Sequence, residues 1–331
     1  MSLTPAGINL RDLYASESAK IEREFAATSN GHKAIEDRAA LVDRIVIDLC
    51  RETLAADPSR LERFCLVALG GYGRRALFPF SDIDLMFLGE DKDSEDRYRD
   101  AMRTLSRALW DLRLRLSPTN RTLAECQKFH RDNAEFNISL LDRRYLAGDA
   151  RLYSRLHHNT LPHMIARDKP ELLRDVSELT RQRHEKEGDT IFHLEPNLKN
   201  SPGGLRDYHV ACWVAQIEGN HPRKDSDTPE SLWPGSVGEE IHRAFDFLAA
   251  ARCFLHYRQG RDDNGLSYEL QAEAAARGVG GEPGRAVEPA DWMREYFRHA
   301  RVIYGLSTQL LDDALPSPSS FRDRVGNWIS R

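Results

Sequence analysis

Apolar residues recur at spacings of three and four along much of the chain, which is the pattern of helices that bury one face. The first such segment runs from about residue 9 to 56 and includes "AIEDRAALVDRIVIDLC", in which Ile35, Val42 and Val46 repeat at helical spacing. A second helix is predicted over residues 94–116. Its apolar stripe consists of Met102, Leu105, Leu109, Leu112 and Leu116. The following "SPTNRTL" is predicted to be a loop that leads to a third strand.

Two short apolar runs between these helices predict strands. The run "FCLVALGG" ends in glycines, and "SDIDLMFLG" ends at Gly89. Both are rich in the apolar residues of buried strands and are bounded by turn-forming residues. A short connection that contains Pro79 joins them. The first 145 residues are therefore predicted to mix helices with a few strands.

Strand patterns nearly vanish after residue 145. Four segments predict helices, and the second of them is apolar almost all round, which indicates a buried helix. They are "LLRDVSELTRQRHEK", "LRDYHVACWVAQI", "IHRAFDFLAAARCFLHY" and "WMREYFRHARVIYGLSTQLL". Segments 220–238 and 276–290 are rich in Gly, Pro, Asp and Glu and are predicted to be surface loops, and "LPSPSSFRDR" a frayed tail.

Length and composition narrow the class of protein. A chain of 331 residues is long for one core and favours two domains. Its net charge of −5 gives no general reason to bind nucleic acid or an acidic membrane, so we expect neither as a partner. No apolar stretch approaches the ~20 residues that cross a bilayer, and no signal peptide is evident, so a cytoplasmic location is expected. The five cysteines form no C-x-x-C pair and are predicted to be reduced, buried thiols.

The stretch "LVALGGYGRRALFPFSDIDLMFLGE" carries the candidate chemistry. Because side chains alternate along a strand, Asp82 and Asp84 are predicted to share one face while Ile83 and Leu85 enter the core. Two such carboxylates repel by about 4 kcal/mol at about 4 Å for an effective dielectric constant of about 20. A divalent cation relieves this repulsion, and Mg²⁺ suits a site with few carboxylates, water and phosphate oxygens.

The glycines before the aspartates suggest a phosphate site. Gly70, Gly71 and Gly73 let backbone N–H groups approach a phosphate chain, and Arg74 or Arg75 could add positive charge. Taken singly, a glycine pair after a strand is usually an ordinary turn, and an exposed D-x-D is usually solvated surface. Their combination at this spacing favours a triphosphate held between amides and metal ions. Neither a Walker A loop nor a dinucleotide fingerprint is present.

The run "GGYGRRALFPFSDIDL" resembles the signature of the nucleotidyltransferase superfamily that includes DNA polymerase beta. It is more similar still to the amino-terminal part of the PII uridylyltransferase/uridylyl-removing enzymes, which carry glycine, glutamate and histidine where this chain has Arg75, Ala76 and Phe80. Further segments resemble the same family in the same order over roughly residues 35–315. They are "LWDLRLRL", "RTLAEC", "LEPNLKNSPGGLRDYHVACWVA" and "ARCFLHYRQGRDDNGLSYELQAEAA".

The resemblance implies an α+β fold, in which a polymerase-beta-like mixed sheet with flanking helices is followed by an all-helical domain. The expected divisions are 1–60 for amino-terminal helices packing on the core, 61–165 for the nucleotidyltransferase domain, 166–316 for the helical domain and 317–331 for a tail.

The resemblance also implies a reaction, the transfer of UMP from UTP to a tyrosine of a PII-type nitrogen regulatory protein with release of pyrophosphate. In such an in-line displacement two metal ions stabilise the attacking and leaving oxygens. Asp82 and Asp84 would be the catalytic residues and hold the Mg²⁺. Ser81 could hydrogen-bond nearby, or could be an ordinary serine at the start of the strand.

The block "PNLKNSPGGLRD" offers a second candidate anion site. Ser201 could cap a helix whose first residue is Pro202, which would aim the amides of the next two glycines outward. Lys199 and Arg206, which flank these residues, could then bind phosphate oxygens. The alternative is a buried turn in which Arg206 pairs with a carboxylate. Asp207 could be that carboxylate, or an acid favoured in the first turn of a helix.

Two departures from the family pattern leave other functions open. The superfamily places a third carboxylate on a neighbouring strand, but "LRLRLSPTNRTL" has none, and Arg115 stands where relatives tend to have glutamate. Glu125 and Glu195 are weaker substitutes. The alternatives are the same fold using ATP or another acceptor, or a degenerate protein that binds nucleotide without turnover. The chain has no His-Asp dipeptide, so we expect no uridylyl-removing activity from these 331 residues.

Overall fold

A computed structural model describes most of the chain, and its helices and strands fall into two compact units. The first unit comprises Met1–Arg167 and His256–Asp262, and the second comprises Asp168–Leu255 and Asp263–Arg331. The described residues are 10–54, 62–219, 232–233 and 235–315. No helix within these ranges is long and apolar enough to span a membrane. All five cysteines are free and buried, as the sequence predicted.

The first unit contains a four-stranded mixed sheet. Its strands are β1 (Phe64–Ala68), β2 (Ile83–Gly89), β3 (Leu116–Thr122) and β4 (Arg144–Gly148). The strand order is β3-β2-β1-β4, in which β1 is antiparallel to both of its neighbours and β2 is parallel to β3. Every residue of β1 and all but one of β2 are buried, so the two central strands form the core of the sheet.

Helices surround this sheet, which confirms the predicted mixed sheet with flanking helices. They are α1 (Leu10–Thr28), α2 (Gly31–Leu54), α3 (Gly70–Gly73), α4 (Lys92–Asp111), α5 (Leu123–Cys126), α6 (Ala134–Ser139), α7 (Ala150–Arg155), a π-helical turn (Leu156–Thr160) and the start of α8 (Leu161–Lys186). Helix α2 packs against α4 and β4. Asp43 of α2 and Arg144 of β4 form a two-pronged ion pair of 2.7 and 2.9 Å.

Within the described residues, the helical pattern from about residue 9 to 56 corresponds to two helices, α1 and α2, which are separated at Ser29, a residue with a φ of +53°. Other predictions for this unit were wrong in detail. The second helix ends at Asp111, so Leu116 begins β3 instead of completing the helical stripe. The predicted loop "SPTNRTL" lies mostly in β3, and β4 was not predicted as a strand.

The second unit is described as helices joined by turns. Its helices are the remainder of α8, then α9 (Leu205–Ile217), α10 (Gly235–Gln259, whose last residues belong to the first unit), α11 (Tyr268–Arg277) and α12 (Pro289–Ala314). An isolated bridge pairs Asn197 with Gly265. Helix α9 is buried almost all round, as predicted. That this part forms an all-helical domain stays a prediction.

The predicted loops are shorter than expected. Residues 235–238 already belong to α10, residues 276–277 end α11 and residues 289–290 begin α12. Pro289 begins α12, a position that proline favours because its missing N–H would have no partner within the helix. The rest of the first predicted loop, apart from residues 232–233, and the predicted tail lie outside the described residues.

Candidate active site

The glycine bend after β1 lies directly against the aspartate motif. Gly70 has a φ of +56°, and a Cβ at this position would lie 2.7 Å from Oδ2 of Asp84. The Leu69 N–H donates to the Asp84 carbonyl at 3.0 Å, which continues the contact between β1 and β2 past the end of β1. Position 70 therefore favours glycine for two reasons. Its backbone is left-handed, and a Cβ there would be too close to the Asp84 carboxylate.

Buried contacts hold the turn that follows Gly70. The side chain of Tyr72 is fully buried, and Arg144 donates to its carbonyl at 3.0 Å. A Cβ at Gly73 would lie 1.9 Å from the Asp142 carbonyl, so only glycine fits there. The Gly73 N–H donates to the Leu69 carbonyl at 2.8 Å. Gly73 is thus required by packing within the turn.

The two aspartates alternate with core residues as predicted. Ile83 and Leu85 are buried, whereas Asp84 is half-buried and Asp82 is exposed. Asp82 lies one residue before β2, and Asp84 is its second residue. This alternation puts both carboxylates on the solvent side of the strand, next to the glycine bend.

Arg115 connects Asp82 to another acid. Its Nε lies 2.9 Å from Oδ1 of Asp82, and its Nη2 lies 3.0 Å from Oδ2 of Asp262. The same guanidinium donates to the Phe80 carbonyl. The parallel pairing of β2 with β3 positions Arg115, because the Ile83 N–H donates to the Arg115 carbonyl at 2.8 Å. A positive charge of the chain itself therefore lies at one of the two aspartates.

Asp262 belongs to a short segment, His256–Asp262, that lies within the first unit. Nδ1 of the buried His256 lies 2.5 Å from the Pro79 carbonyl, so this nitrogen carries the proton. Burial raises the pKa of Asp262, but the hydrogen bond and charge of Arg115 outweigh it and lower the pKa below its ordinary value. Asp262 is therefore ionised at neutral pH beside the aspartate motif.

The carboxylates of Asp82 and Asp84 suit a cation whose remaining coordination positions are filled by water and substrate oxygens. No group of three or more His, Cys, Asp or Glu side chains in the described ranges is arranged to hold a metal ion. Mg²⁺, however, is commonly bound by one or two carboxylates, with water and substrate phosphates filling its octahedron. Asp82 and Asp84 supply two such carboxylates.

The remaining predicted residues of the first unit have other contacts. The Arg74 side chain is buried and forms an ion pair with the buried Asp142. Ser81 is half-buried, and its N–H donates to the Phe78 carbonyl at 3.2 Å. A Cβ at Gly71 would lie 3.2 Å from the Ala76 carbonyl, a tight contact without backbone strain. Phosphate binding by Gly71, Gly73, Arg74 and Ser81 stays a prediction.

Lys199 and Arg206 lie in the second unit. Helix α9 begins at Leu205 with Gly204 as its N-cap residue, so the predicted cap by Ser201 is wrong. The Ser201 hydroxyl instead accepts from the Asn197 N–H at 2.8 Å and closes a turn. The Arg206 guanidinium lies 5.7 Å from the Trp213 ring centre. Anion binding by Lys199 and Arg206 stays a prediction.

The two substitute acids are already engaged. Glu125 caps α5, because its carboxylate accepts from the Thr122 N–H at 2.7 Å while the Thr122 hydroxyl accepts from the Glu125 N–H. The T-x-x-E spacing of this capping box was readable in the sequence. Glu195, in the second unit, accepts from the Tyr268 N–H at 3.0 Å.

Two contacts at the site were missed by sequence reasoning. Asp262 lies far from Asp82 in the chain, and no local pattern links them. Arg115 was noted only as a departure from the family, although its position at the start of a strand parallel to β2 places it beside Asp82. Only the pairing of β2 with β3 could have shown this.

The mixed sheet, with an aspartate pair beside a glycine bend, is consistent with an α+β nucleotidyltransferase domain. Residues 172–311 match the family model of the GlnD PII-uridylyltransferase. The bifunctional uridylyltransferase/uridylyl-removing enzyme of Cereibacter sphaeroides is 34% identical over 284 residues, which cover 84% of this chain and 30% of that protein. The enzyme of the same name from Pseudomonas putida is 35% identical over 294 residues, which cover 88% of this chain and 31% of that protein. The enzyme of the same name from Azospirillum brasilense is 31% identical over 325 residues, which cover 96% of this chain and 34% of that protein.

These matches cover 84–96% of the chain, so each of them includes Asp82 and Asp84 even if all the omitted residues lie at the amino terminus. Residues 172–311 thus match the GlnD PII-uridylyltransferase family, and the chain is similar to these curated relatives over 84–96% of its own length. It spans about a third of the length of these curated relatives.

Proposed function

We propose that this chain is a Mg²⁺-dependent nucleotidyltransferase that transfers UMP from UTP to a tyrosine of a PII-type regulatory protein. The observation that supports it best is the approach of Gly70 to Asp84, since a Cβ at Gly70 would lie 2.7 Å from the carboxylate. The names of the relatives support uridylyl transfer as the reaction. UTP, Mg²⁺ and the tyrosine acceptor are parts of the proposal.

In this proposal Asp82 and Asp84 hold the metal, and the glycine bend admits the triphosphate. The tyrosine oxygen bonds to the α-phosphorus, the bond to the bridging oxygen breaks to release pyrophosphate, and the hydroxyl proton passes to water. Bound Mg²⁺ would stabilise the attacking and leaving oxygens of this displacement. The chain's own part is to fix the carboxylates on a rigid strand and to keep Cβ atoms away from the phosphates.

The test is an incubation of the chain with α-labelled UTP, Mg²⁺ and a PII protein. We expect the wild-type chain to label PII. Asp82→Asn or Asp84→Asn should lower the rate of labelling about 100-fold or more. Asp100→Asn is the matched control, because Asp100 lies on α4 with its side chain 95% exposed. Undiminished labelling by Asp84→Asn would contradict the site assignment.

One alternative keeps the chemistry and changes the substrates, since no contact of the described residues identifies a base pocket. Comparing the four nucleoside triphosphates in the same assay decides between UTP and ATP. Replacing PII by its variant without the tyrosine hydroxyl tests the acceptor.

A second alternative is a protein that binds nucleotide without turnover. The contact of Arg115 with Asp82 and the absence of an acid from β3 favour it. Tight Mg²⁺-dependent UTP binding by calorimetry, together with undetectable pyrophosphate release in the presence of PII, would establish it.

A further inference from the structure

The guanidinium of Arg144 connects the glycine turn to helix α2. Its Nη2 donates to the Tyr72 carbonyl at 3.0 Å, inside the turn that follows Gly70. The same guanidinium forms the two-pronged ion pair of 2.7 and 2.9 Å with Asp43 of α2. It also lies 5.3 Å from the centre of the Tyr72 ring. Arg144 therefore holds the turn from β4, while α2 holds Arg144.

These contacts lie in the interior of the first unit. The side chain of Arg144 is 10% exposed, that of Asp43 is 20% exposed, and Tyr72 is fully buried. A guanidinium presents its N–H donors in a rigid planar fork, so pairing with Asp43 also fixes the direction of the donor to Tyr72. Because a buried charge without a partner is costly, Asp43 and Arg144 keep each other in place.

The chain just before β4 fixes the same turn at two further points. Asp142 forms a buried ion pair with Arg74. Its carbonyl would lie 1.9 Å from a Cβ at Gly73, so the two backbones are in direct contact there. The turn is thus fixed at three successive residues, 72–74, and its first residue is the Gly70 that lies against the Asp84 carboxylate.

We propose that the Asp43–Arg144 pair positions the glycine turn for nucleotide binding, so that helix α2 sets the distance between the Gly70 backbone and Asp84. This inference rests on the proposed function, because it concerns the nucleotide of that same site. Asp43 and Arg144 act through the backbone of the turn and are thus positioning residues. A displacement of about 1 Å at a reacting site can lower a rate about 100-fold, so a small shift of the turn matters.

Two conservative substitutions test the proposal in the intact chain. Asp43→Asn keeps the shape of the side chain and removes its charge, whereas Arg144→Lys keeps the charge and replaces the fork by a single ammonium group. Hydrogen exchange followed by mass spectrometry reports on the turn, because the Gly73 N–H donates to the Leu69 carbonyl at 2.8 Å. We expect faster exchange over residues 69–76 in both variants.

Nucleotide binding is measured in parallel by calorimetry with Mg²⁺ and α,β-methylene UTP, and separately with α,β-methylene ATP. We expect the Kd of the bound analogue to rise about tenfold in Asp43→Asn and Arg144→Lys, because the turn is no longer preorganised. Tyr98→Leu is the matched control for lost stability, since Tyr98 packs on Phe64 at the other end of β1, with ring centres 4.5 Å apart. It should lower the midpoint of urea unfolding and leave the Kd unchanged.

The outcomes separate this proposal from the proposed function. An unchanged Kd or unchanged exchange in Asp43→Asn and Arg144→Lys, an equal rise of the Kd in Tyr98→Leu, or no wild-type binding of either analogue would each overturn it. A wild-type chain that binds an analogue about tenfold more tightly than both variants but never labels PII would instead refute the proposed function and leave the role of the pair supported. Circular dichroism of each variant confirms folding, and Asp43→Asn is expected to fold because its amide oxygen still accepts from Arg144.

Discussion

The carboxylate of Asp207 lies 3.0 Å from Nε2 of His184, and both side chains are buried in the second unit. Arg183 also donates to this carboxylate, and so does the Gly203 N–H at 2.7 Å. The acid of the "PGGLRD" block therefore pairs with helix α8, and not with Arg206 as one sequence interpretation held. Its contacts fix the turn that precedes α9.

We expect Asp207→Asn to lower the free energy of unfolding by about 3–5 kcal/mol, because it leaves the Arg183 guanidinium without its buried charged partner. Urea unfolding followed by circular dichroism measures this. Asp291→Asn is the control, since Asp291 is exposed and pairs within α12, and it should cost less than about 1 kcal/mol. Equal losses in both variants would contradict the role of Asp207.

The same carboxylate predicts an acid-dependent loss of stability. Burial raises the pKa of Asp207, but hydrogen bonding to His184 and the nearby positive charges outweigh it, so the pKa is below its ordinary value. A depressed folded-state pKa stabilises the fold above pH about 4, the value of an unfolded aspartate, and the contribution is lost as pH falls through the folded pKa. The stability gap between wild type and Asp207→Asn should be constant from pH 7 to 5 and shrink below pH 4. A gap that stays unchanged down to about pH 2 would contradict this role of the Asp207 carboxylate.

Gly70→Ala should lower the transfer activity much more than the stability of the fold. The new Cβ would lie 2.7 Å from Oδ2 of Asp84 and force that carboxylate to move, so we expect transfer activity to fall about 100-fold or more. Stability should fall by only about 1–2 kcal/mol, the cost of a left-handed residue with a Cβ. Gly219→Ala is the matched control, because Gly219 has a φ of +76° in open space. It should lose similar stability and keep its activity.

Arg75→Gly should stabilise the protein. Arg75 is exposed with a φ of +63°, a left-handed conformation that favours glycine. Relief of the left-handed strain should add about 1 kcal/mol to the free energy of unfolding. Arg75→Ala also removes the charge but keeps a Cβ, so it should bring no gain. If Arg75→Ala stabilises equally in urea unfolding, charge and not backbone strain is the cause.

The central elements of the fold could be predicted because their patterns are local. The apolar runs of β1 and β2 are buried as predicted, and α9 occupies its predicted segment from Leu205 to Ile217. Strand β3 could not be recognised, because it is an edge strand in which only Leu116 and Thr122 are buried. Its Pro118 is tolerated at an edge, where one side of the strand needs no ladder hydrogen bond.

In the candidate site, too, the features that depend on local spacing could be predicted, and the contacts between distant segments could not. Spacing alone predicted that Asp82 and Asp84 would alternate with core residues, whereas the approach of the Gly70 backbone to the Asp84 carboxylate was not predicted. The contacts of Arg115 and Asp262 depend on which strands pair and on where a distant segment packs. The spacing of residues along the chain does not encode these contacts.

The parallel register of β2 and β3 sets Ser117 directly across from Asp84, and Ser117 is exposed. Paired residues of adjacent strands point to the same face of a sheet. An acid introduced at position 117 would therefore stand beside Asp84 without disturbing the hydrophobic interior. This edge of the domain is accordingly a natural starting point for engineering a metal centre with three carboxylates.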